Sequence, residues 1–284
     1  MKESRLGAVL VAPSILFLIV ILIVPLIYTV YNSFFDLRFL QMGDFLGFKN
    51  YAAVFRNREI WHSLGLTIIV TFAGLAISIV VGMLMAVWIH SCQGLTAYFL
   101  QIIVLIPWVI SMVVGALLWK WLFNTMGPIN YLLNAWGYGN VDILANPRLA
   151  PCALIFVMAW RTVGFAMVLI LAGLKSVPKD LEEAAEVDGA NRWNVFWRVR
   201  LPLLKTPVMI ASVILLLSNF NNVDVPMVLT GGGPGNATNV ITMELYRQGF
   251  VYYDFGIASA LSFITLLINV VLIVLYMKVV KYDV

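Results

Sequence analysis

Charge, cysteine and histidine are all scarce in this chain. Only 11% of its 284 residues are charged, two are cysteine and two are histidine, while 62% are apolar. A folded protein surrounded by water needs a more polar surface, so most of this surface must face lipid. So few histidines and cysteines make a metal site unexpected. The topology derived below puts Cys92 and Cys152 near opposite faces of the bilayer, too far apart for a disulfide.

Signatures of catalysis, nucleotide binding and nucleic-acid binding are missing as well. His62 and His90 lie at opposite ends of one apolar run, no H-E-x-x-H motif occurs, and no carboxylates are paired inside an apolar run. The glycine-rich stretch 231–236 has no phosphate-binding lysine and indicates a turn. Basic residues lie between apolar runs rather than along one stripe. We therefore expect no enzyme, and no cofactor or metal bound by this chain.

What the chain has instead is long apolar runs. Crossing the hydrocarbon of a bilayer takes about 20 apolar residues in a helix. Runs of that length lie at about 8–30, 64–89, 99–122, 151–174, 206–228 and 257–279. The sequence therefore predicts an all-α integral membrane protein with six spans, forming one transmembrane domain over residues 1–284. The first run is too long for a signal peptide, and we interpret it as a retained span.

Lysine and arginine favour one orientation of these spans, with both termini in the cytoplasm. The cytoplasmic side would then hold Lys2, Arg5, Lys175, Lys179, Arg192, Arg198, Arg200, Lys205, Lys278 and Lys281. The outer side would hold Arg38, Lys49, Arg56, Arg58, Arg148 and Arg247. The excess on one side predicts that the polar segment 175–205 is cytoplasmic.

This segment joins the fourth and fifth runs and is the most polar part of the chain. Asp180 and Glu183 have the spacing of a capping box at the start of a helix, and Gly189 is suited to end it. A second helix would begin near Asn191.

On that second helix Trp193, Phe196, Trp197 and Arg200 recur at i, i+3, i+4 and i+7, which predicts one aromatic face. Pro202 is expected to break the helix and set its angle to the fifth span. Such a helix either lies on the bilayer surface or binds a partner, and amphipathicity alone leaves both open.

The same segment carries an ordered series of residues: Glu183-Ala184-Ala185, Asp188-Gly189-Ala190, Phe196, Val199 and Leu201-Pro202. This series resembles the EAA loop of the permease subunits of bacterial binding-protein-dependent ABC importers, with Val199 where the family has isoleucine. The stretches 47–51, 171–174 and 229–234 are similar to the carbohydrate-uptake branch, the maltose and glycerol-3-phosphate type.

The resemblance implies the six-helix transmembrane domain of a type I importer, in the bacterial inner membrane, with a cytoplasmic coupling helix. It implies a homologous second permease, two copies of an ATPase that bind ATP and Mg, and an external solute-binding protein that delivers a sugar or related polyol. The residues implied to contact the ATPase are Glu183, Ala184, Ala185, Asp188, Gly189, Ala190, Phe196, Leu201 and Pro202. The alternatives are an ion-coupled secondary transporter or channel without an ATPase, and a membrane scaffold.

Polar residues inside the apolar runs are candidates for the solute path, because such groups are costly in lipid unless they face a bundle interior or water. Asn219 and Asn222 have the spacing of one helix face, and amides both donate and accept hydrogen bonds, which suits sugar hydroxyls. They fit contacts between helices, or the end of a helix, equally well. Asp224 and Arg161 are further candidates. Arg161 is expected to face inward or to reach the membrane surface, and Asp224 on the neighbouring helix is a carboxylate with which it can pair.

Overall fold

The computed structural model describes residues 2–280, most of which are helical. Within this range four helices are long and apolar enough to cross a membrane: Leu10–Asn32, Arg58–Ser91, Leu149–Lys175 and Phe255–Lys278. Two bent pairs also qualify as spans, Gly94–Val109 with Met112–Leu122 at 96°, and Trp193–Leu203 with Lys205–Phe220 at 61°. The helical fold class is confirmed, whereas six crossings in one domain stay a prediction. Lys281 lies outside the described residues.

The chain divides into two compact units, which are described separately. The first consists of Met1–His62 and Glu244–Ile268. Its elements are α1 (Lys2–Leu18), π1 (Ile19–Ile23), α2 (Val24–Asn32), β1 (Phe35–Arg38), β2 (Gln41–Phe45), α3 (Lys49–Arg56), π3 (Arg247–Val251) and the beginning of α15 (Phe255–Val280).

A β-hairpin follows the first long helix, where the sequence predicted no strand. Strands β1 and β2 pair antiparallel, and their turn places Phe39 and Leu40 at φ +47° and +62°. Arg38 forms ion pairs with Asp36 at 3.2 Å and Asp254 at 3.3 Å. The turn has no glycine or asparagine, which is why turn chemistry did not reveal it.

Buried Asn50 holds the base of this hairpin. Its Nδ2 donates to the carbonyls of Ser33 and Phe35, both at 2.9 Å, and the hydroxyls of Tyr51 and Ser33 lie 2.6 Å apart. A Cβ on Gly256 would lie 2.5 Å from the Phe35 carbonyl oxygen. The stretch 47–51, noted for its resemblance to the permease family, is therefore a structural anchor in the first unit.

The second unit consists of Ser63–Met243 and Asn269–Val284. Its elements are most of α4 (Arg58–Ser91), α5 (Gly94–Val109), α6 (Met112–Leu122), α7 (Pro128–Ala135), α8 (Leu149–Lys175), α9 (Lys179–Val187), α10 (Arg192–Val195), π2 (Phe196–Arg200), α11 (Leu201–Leu203), α12 (Lys205–Phe220), α13 (Asp224–Leu229), the beginning of α14 (Ile241–Tyr246) and the end of α15.

Helix α8 is the centre of the second unit and packs against α5 and α12. Its buried side chains Leu154, Val157, Met167 and Ile170 contribute to both apolar clusters of the unit. A Cβ on Gly164 would lie 2.4 Å from the Val104 carbonyl oxygen of α5. Small residues let membrane helices pack closely, and here α5 and α8 are in backbone contact.

Candidate functional site

The loop between α8 and α12 begins with helix α9, whose start differs from the prediction. Pro178 is the residue directly before the helix, and a proline side chain has no oxygen that could cap it. Asp180 lies inside the first turn instead, so the predicted capping box with Glu183 is wrong. Pro178 itself is extended, with ψ 128°, and Lys179 is the first helical residue. Asp180 still interacts favourably with the positive end of the helix dipole.

Helix α9 ends at Gly189, as the sequence predicted. Gly189 has φ +84°, its N–H donates to the Glu186 carbonyl at 3.0 Å, and the Ala190 N–H donates to the Ala185 carbonyl at 2.9 Å. These two bonds form a Schellman motif. No atom lies within 4 Å of a Cβ placed on Gly189, so glycine is needed for the backbone conformation and not for space.

The second helix begins as predicted and then changes its winding. Asn191 Oδ1 accepts a hydrogen bond from the Asn194 N–H at 2.8 Å, which supports the first turn of α10. From Phe196 to Arg200 the chain is π-helical. A π turn holds more residues than an α turn, so the regular spacing of an α-helix does not hold through this stretch. Trp193 and Trp197 remain neighbours, with ring centroids 5.5 Å apart.

Arg200 binds Glu182, which lies on α9. Its Nε donates to Glu182 Oε1 at 2.7 Å and its second terminal nitrogen to Oε2 at 2.8 Å. The two side chains are only 26% and 21% exposed. This two-pronged ion pair joins the two parts of the loop. Sequence reasoning missed it because residues 18 positions apart leave no local pattern.

The ion pair changes how Glu182 titrates. The hydrogen bonds from Arg200 hold the pKa of the Glu182 carboxyl below its ordinary value of 4.5. A carboxyl with a lower pKa in the folded chain stabilises the fold once it is ionised. This stabilisation is fully present above about pH 4.5 and is lost as the pH falls through the lower folded value. The pair is therefore formed at neutral pH.

The loop exposes an uncommon amount of apolar surface for a polar segment. Val187 is 87% exposed and Trp193 68% exposed, and Leu181, Trp197 and Leu203 are exposed as well. Of the residues predicted to contact a partner, Glu183, Ala184, Asp188, Gly189 and Pro202 are exposed, while Ala185, Ala190, Phe196 and Leu201 are partly buried. Exposed apolar side chains with a polar rim are typical of a binding surface.

An open groove lies between this loop and the end of α4. Its volume is about 720 Å³. Val87 and Trp88 of α4 line one wall, and Trp193, Phe196 and Arg200 line the other. The loop therefore offers both a convex surface and a recess.

The helix break before α12 lies at Leu204, not at Pro202. Pro202 sits in the first turn of α11, where a missing N–H costs little. The axis turns by 61° between Leu203 and Lys205, and Leu204 at the bend is fully buried. The expected break at Pro202 is therefore wrong by two residues.

Gly173 of α8 makes room for this bend. A Cβ at Gly173 would lie 2.5 Å from Pro207 Cγ and 2.9 Å from Leu204 Cδ2. The stretch 171–174, noted for its resemblance to the permease family, thus places the bend against α8.

Asn219 and Asn222 do not share a helix face, because α12 ends at Phe220. The helix thus ends before residue 228, and the predicted span 206–228 includes both α12 and the beginning of α13. Asn222 Oδ1 accepts from the Val225 N–H at 2.9 Å and supports the start of α13, while its Nδ2 lies 3.2 Å from Met112 Sδ. Asn219 is buried and its Nδ2 has no hydrogen-bond partner among the described residues. The structure thus gives the two amides different roles.

Arg161 is buried in α8 as predicted, but it has a different partner. Its guanidinium carbon lies 4.9 Å from the ring centroid of Trp108, which stacks on Phe165. Within residues 2–280 no ion pair joins it to Asp224, which is exposed at the start of α13. Asp224 still acts on Arg161 through its charge, but the two form no direct ion pair, and a cation–π contact with Trp108 holds the guanidinium.

Asn221 and Asn269 form a contact that the sequence did not suggest. The Nδ2 of Asn269 donates to Asn221 Oδ1 at 3.1 Å, and the reverse contact measures 3.5 Å. Polar side chains that bond across helices are common in membrane proteins. This pair ties the end of α12 to α15 within the second unit.

The glycine-rich stretch 231–236 is a turn, as predicted. Gly231, Gly232 and Gly235 all have positive φ, and the hydroxyls of Thr230 and Thr238 lie 2.6 Å apart across it.

Comparison with known proteins identifies the fold. A solved bacterial alginate ABC transporter, in complex with an alginate pentasaccharide-bound periplasmic protein, superimposes with a TM-score of 0.85 at 24% identity. The match covers 100% of this chain and 98% of that one. The fold is therefore that of the transmembrane domain of an ABC importer.

Sequence comparison identifies the family. A family model described as binding-protein-dependent transport system inner membrane component matches residues 78–281. The chain is 32% identical to the trehalose/maltose transport system permease protein MalF of Thermococcus litoralis, over 99% of this chain and 95% of that protein. It is 29% identical to the sulfoquinovosyl glycerol transport system permease protein SmoG of Agrobacterium fabrum, over 98% and 91%. The chain belongs to the family of inner membrane components of binding-protein-dependent transport systems, which confirms the resemblance found in the loop.

Proposed function

We propose that this chain is the permease subunit of an ATP-driven importer that takes a sugar or related polyol from an external binding protein. Two relatives that match nearly its whole length carry the names of trehalose/maltose and sulfoquinovosyl glycerol transport systems. A third is named for starch degradation products. All three names refer to carbohydrates or their derivatives, which supports that solute class for this chain.

The loop 175–205 is proposed to face the cytoplasm, together with both termini, and to dock on an ATPase. The exposed surface around Glu183, Ala184 and Gly189 supports this, because a rigid helix ended by a fixed turn presents a defined shape to a partner. ATP and magnesium would be bound by two ATPase copies and not by this chain, which is not proposed to be an enzyme. A homologous second permease completes the assembly.

The solute path is proposed to pass Asn219. Its amide is buried, and its Nδ2 lacks a partner among the described residues, so a solute hydroxyl would satisfy it. The other candidates are Asn222, Asp224 and Arg161. Asn222 already has hydrogen bonds within the second unit, so it supports the path by shaping it. The Nε of Arg161 is buried without a hydrogen-bond partner among the described residues, so it too can donate to a solute oxygen.

The loop, exposed and matching the family pattern, carries the proposal, and its deletion tests it. The chain is tagged and co-expressed with its candidate ATPase and second permease, and the membrane complex is purified. Removing 183–202 should abolish recovery of the ATPase while the second permease still co-purifies. An ATPase that remains bound to the deleted chain would contradict the docking role of the loop.

A further inference from the structure

A single turn joins the two halves of the loop. Helix α9 follows α8 after a three-residue connection, and the second half leads through α11 into α12. Between the halves the chain passes through Gly189, which has no neighbour within 4 Å of a Cβ position. The two hydrogen bonds of this turn lie within residues 185–190, so they fix the turn itself but do not connect α9 to π2 or α11.

The Glu182–Arg200 ion pair adds a direct connection between the two halves. Its two N–H···O bonds, at 2.7 and 2.8 Å, join two planar groups. A two-pronged contact of this kind fixes both the distance and the relative orientation of its partners. Both side chains are about three-quarters buried, so salt screens the pair less than a surface pair.

The pair connects the proposed docking helix to the segment just before the bend. Glu182 lies beside Glu183, the first residue of the family pattern. Both are on α9, the helix proposed to dock on the ATPase. Arg200 directly precedes α11 and the bend at Leu204. Neither residue belongs to the series that carries the family resemblance.

We infer that the Glu182–Arg200 pair is a positioning clamp, which makes α9 and the beginning of α12 move as one body when a partner pushes on α9. This inference rests on the proposed function for the origin of the force. The stiffness of the loop, however, is a property of the chain itself and is measured without a partner.

The test measures that stiffness with a pair of spin labels. Cys92 and Cys152 are replaced by serine, and labels are attached at Val187→Cys on α9 and Ile210→Cys on α12, both exposed positions. Electron–electron distances are recorded for the full chain in lipid nanodiscs, alone and in the purified complex with its ATPase. The wild-type background should give one narrow distance peak.

Three kinds of variant separate the clamp from general disturbance. Glu182→Gln keeps the shape of the side chain, Arg200→Met removes the cation, and both should lose the narrow peak. The exchange Glu182→Arg with Arg200→Glu should recover it. Arg198→Met removes an exposed cation two residues away and should leave the peak narrow.

The clamp is overturned if both single variants keep the narrow peak, or if Arg198→Met broadens it equally. An exchange variant as broad as the single variants also overturns it, since the residues would then act separately. Because the peak is recorded first on the chain alone, an ATPase that fails to bind would contradict the proposed function and leave the clamp standing.

Discussion

Single residues in the loop act through backbone conformation as much as through contacts. Gly189 in the loop and Gly137 after α7 both have φ +84°, and both have open space around a Cβ position. The same substitution at the two sites therefore carries the same local strain. Any difference in ATPase recovery between the two variants therefore reports the role of the loop in docking.

Replacing Gly189 with valine should cost about 1–2 kcal/mol at the turn, because an L-residue is strained in the left-handed region. The turn would open and the recovery of the ATPase with the purified chain should fall sharply. Gly189→Asn should retain more of it, since asparagine tolerates this conformation.

Gly137→Val is the matched control, with the same strain outside the loop, and should co-purify the ATPase normally. If Gly189→Val recovers as much ATPase as the control, the turn has no role in docking.

At the scale of secondary structure, the bend between α11 and α12 depends on a close contact with α8. Gly173 has Pro207 and Leu204 where a side chain would begin. Gly65 in α4 is also helical but has no atom within 4 Å of a Cβ position, so it serves as the comparison.

Gly173→Ala should destabilise the chain by about 1–3 kcal/mol, because the added methyl forces α12 away from α8. Gly65→Ala should be neutral or stabilise by up to about 1 kcal/mol, since alanine favours helix. Thermal unfolding of the purified chain in detergent measures both. Equal melting temperatures for the two variants would show that the side chains around Gly173 make room for a methyl group at little cost in stability.

The elements that sequence predicted well are those fixed by length and composition. Long apolar runs gave helices close to their predicted positions, and Gly189 marked the end of α9. The positions where helices end or bend were harder to predict from sequence. The chain leaves α12 after Phe220 because Asn222 bonds to the next turn, and it bends at Leu204 because α8 has a glycine there.

Partners that are distant in sequence were also beyond prediction. Arg161 was expected to seek a carboxylate, yet the ring of Trp108 faces it. The Glu182–Arg200 pair and the Asn221–Asn269 pair join residues that no periodicity relates. Tertiary packing decides such contacts, and one sequence does not encode them locally.

At the scale of the whole molecule, the proposed function means transport that is powered by a separate ATPase. This distinguishes the chain from a secondary transporter driven by an ion gradient, which was the main alternative from sequence. The distinction concerns the energy source and is measured on the assembled importer.

The purified complex in proteoliposomes should take up solute only when ATP reaches the ATPase and the loaded binding protein is present outside. Trehalose, maltose and sulfoquinovosyl glycerol, the solutes in the relatives' names, serve as probes. Proton and sodium gradients without ATP should give no uptake. Gradient-driven uptake by this chain alone would reject the importer assignment.

The length of α4 has a consequence for the lipid environment. Its 34 residues extend over roughly 51 Å at the usual helical rise, well beyond a hydrocarbon layer of about 30 Å. The helix must therefore tilt or project from the bilayer, and its last turns carry Trp88 and one wall of the groove beside the loop. A thinner or thicker membrane would change that tilt. A change in bilayer thickness alone would thus change the groove next to the loop, without any substitution in the chain.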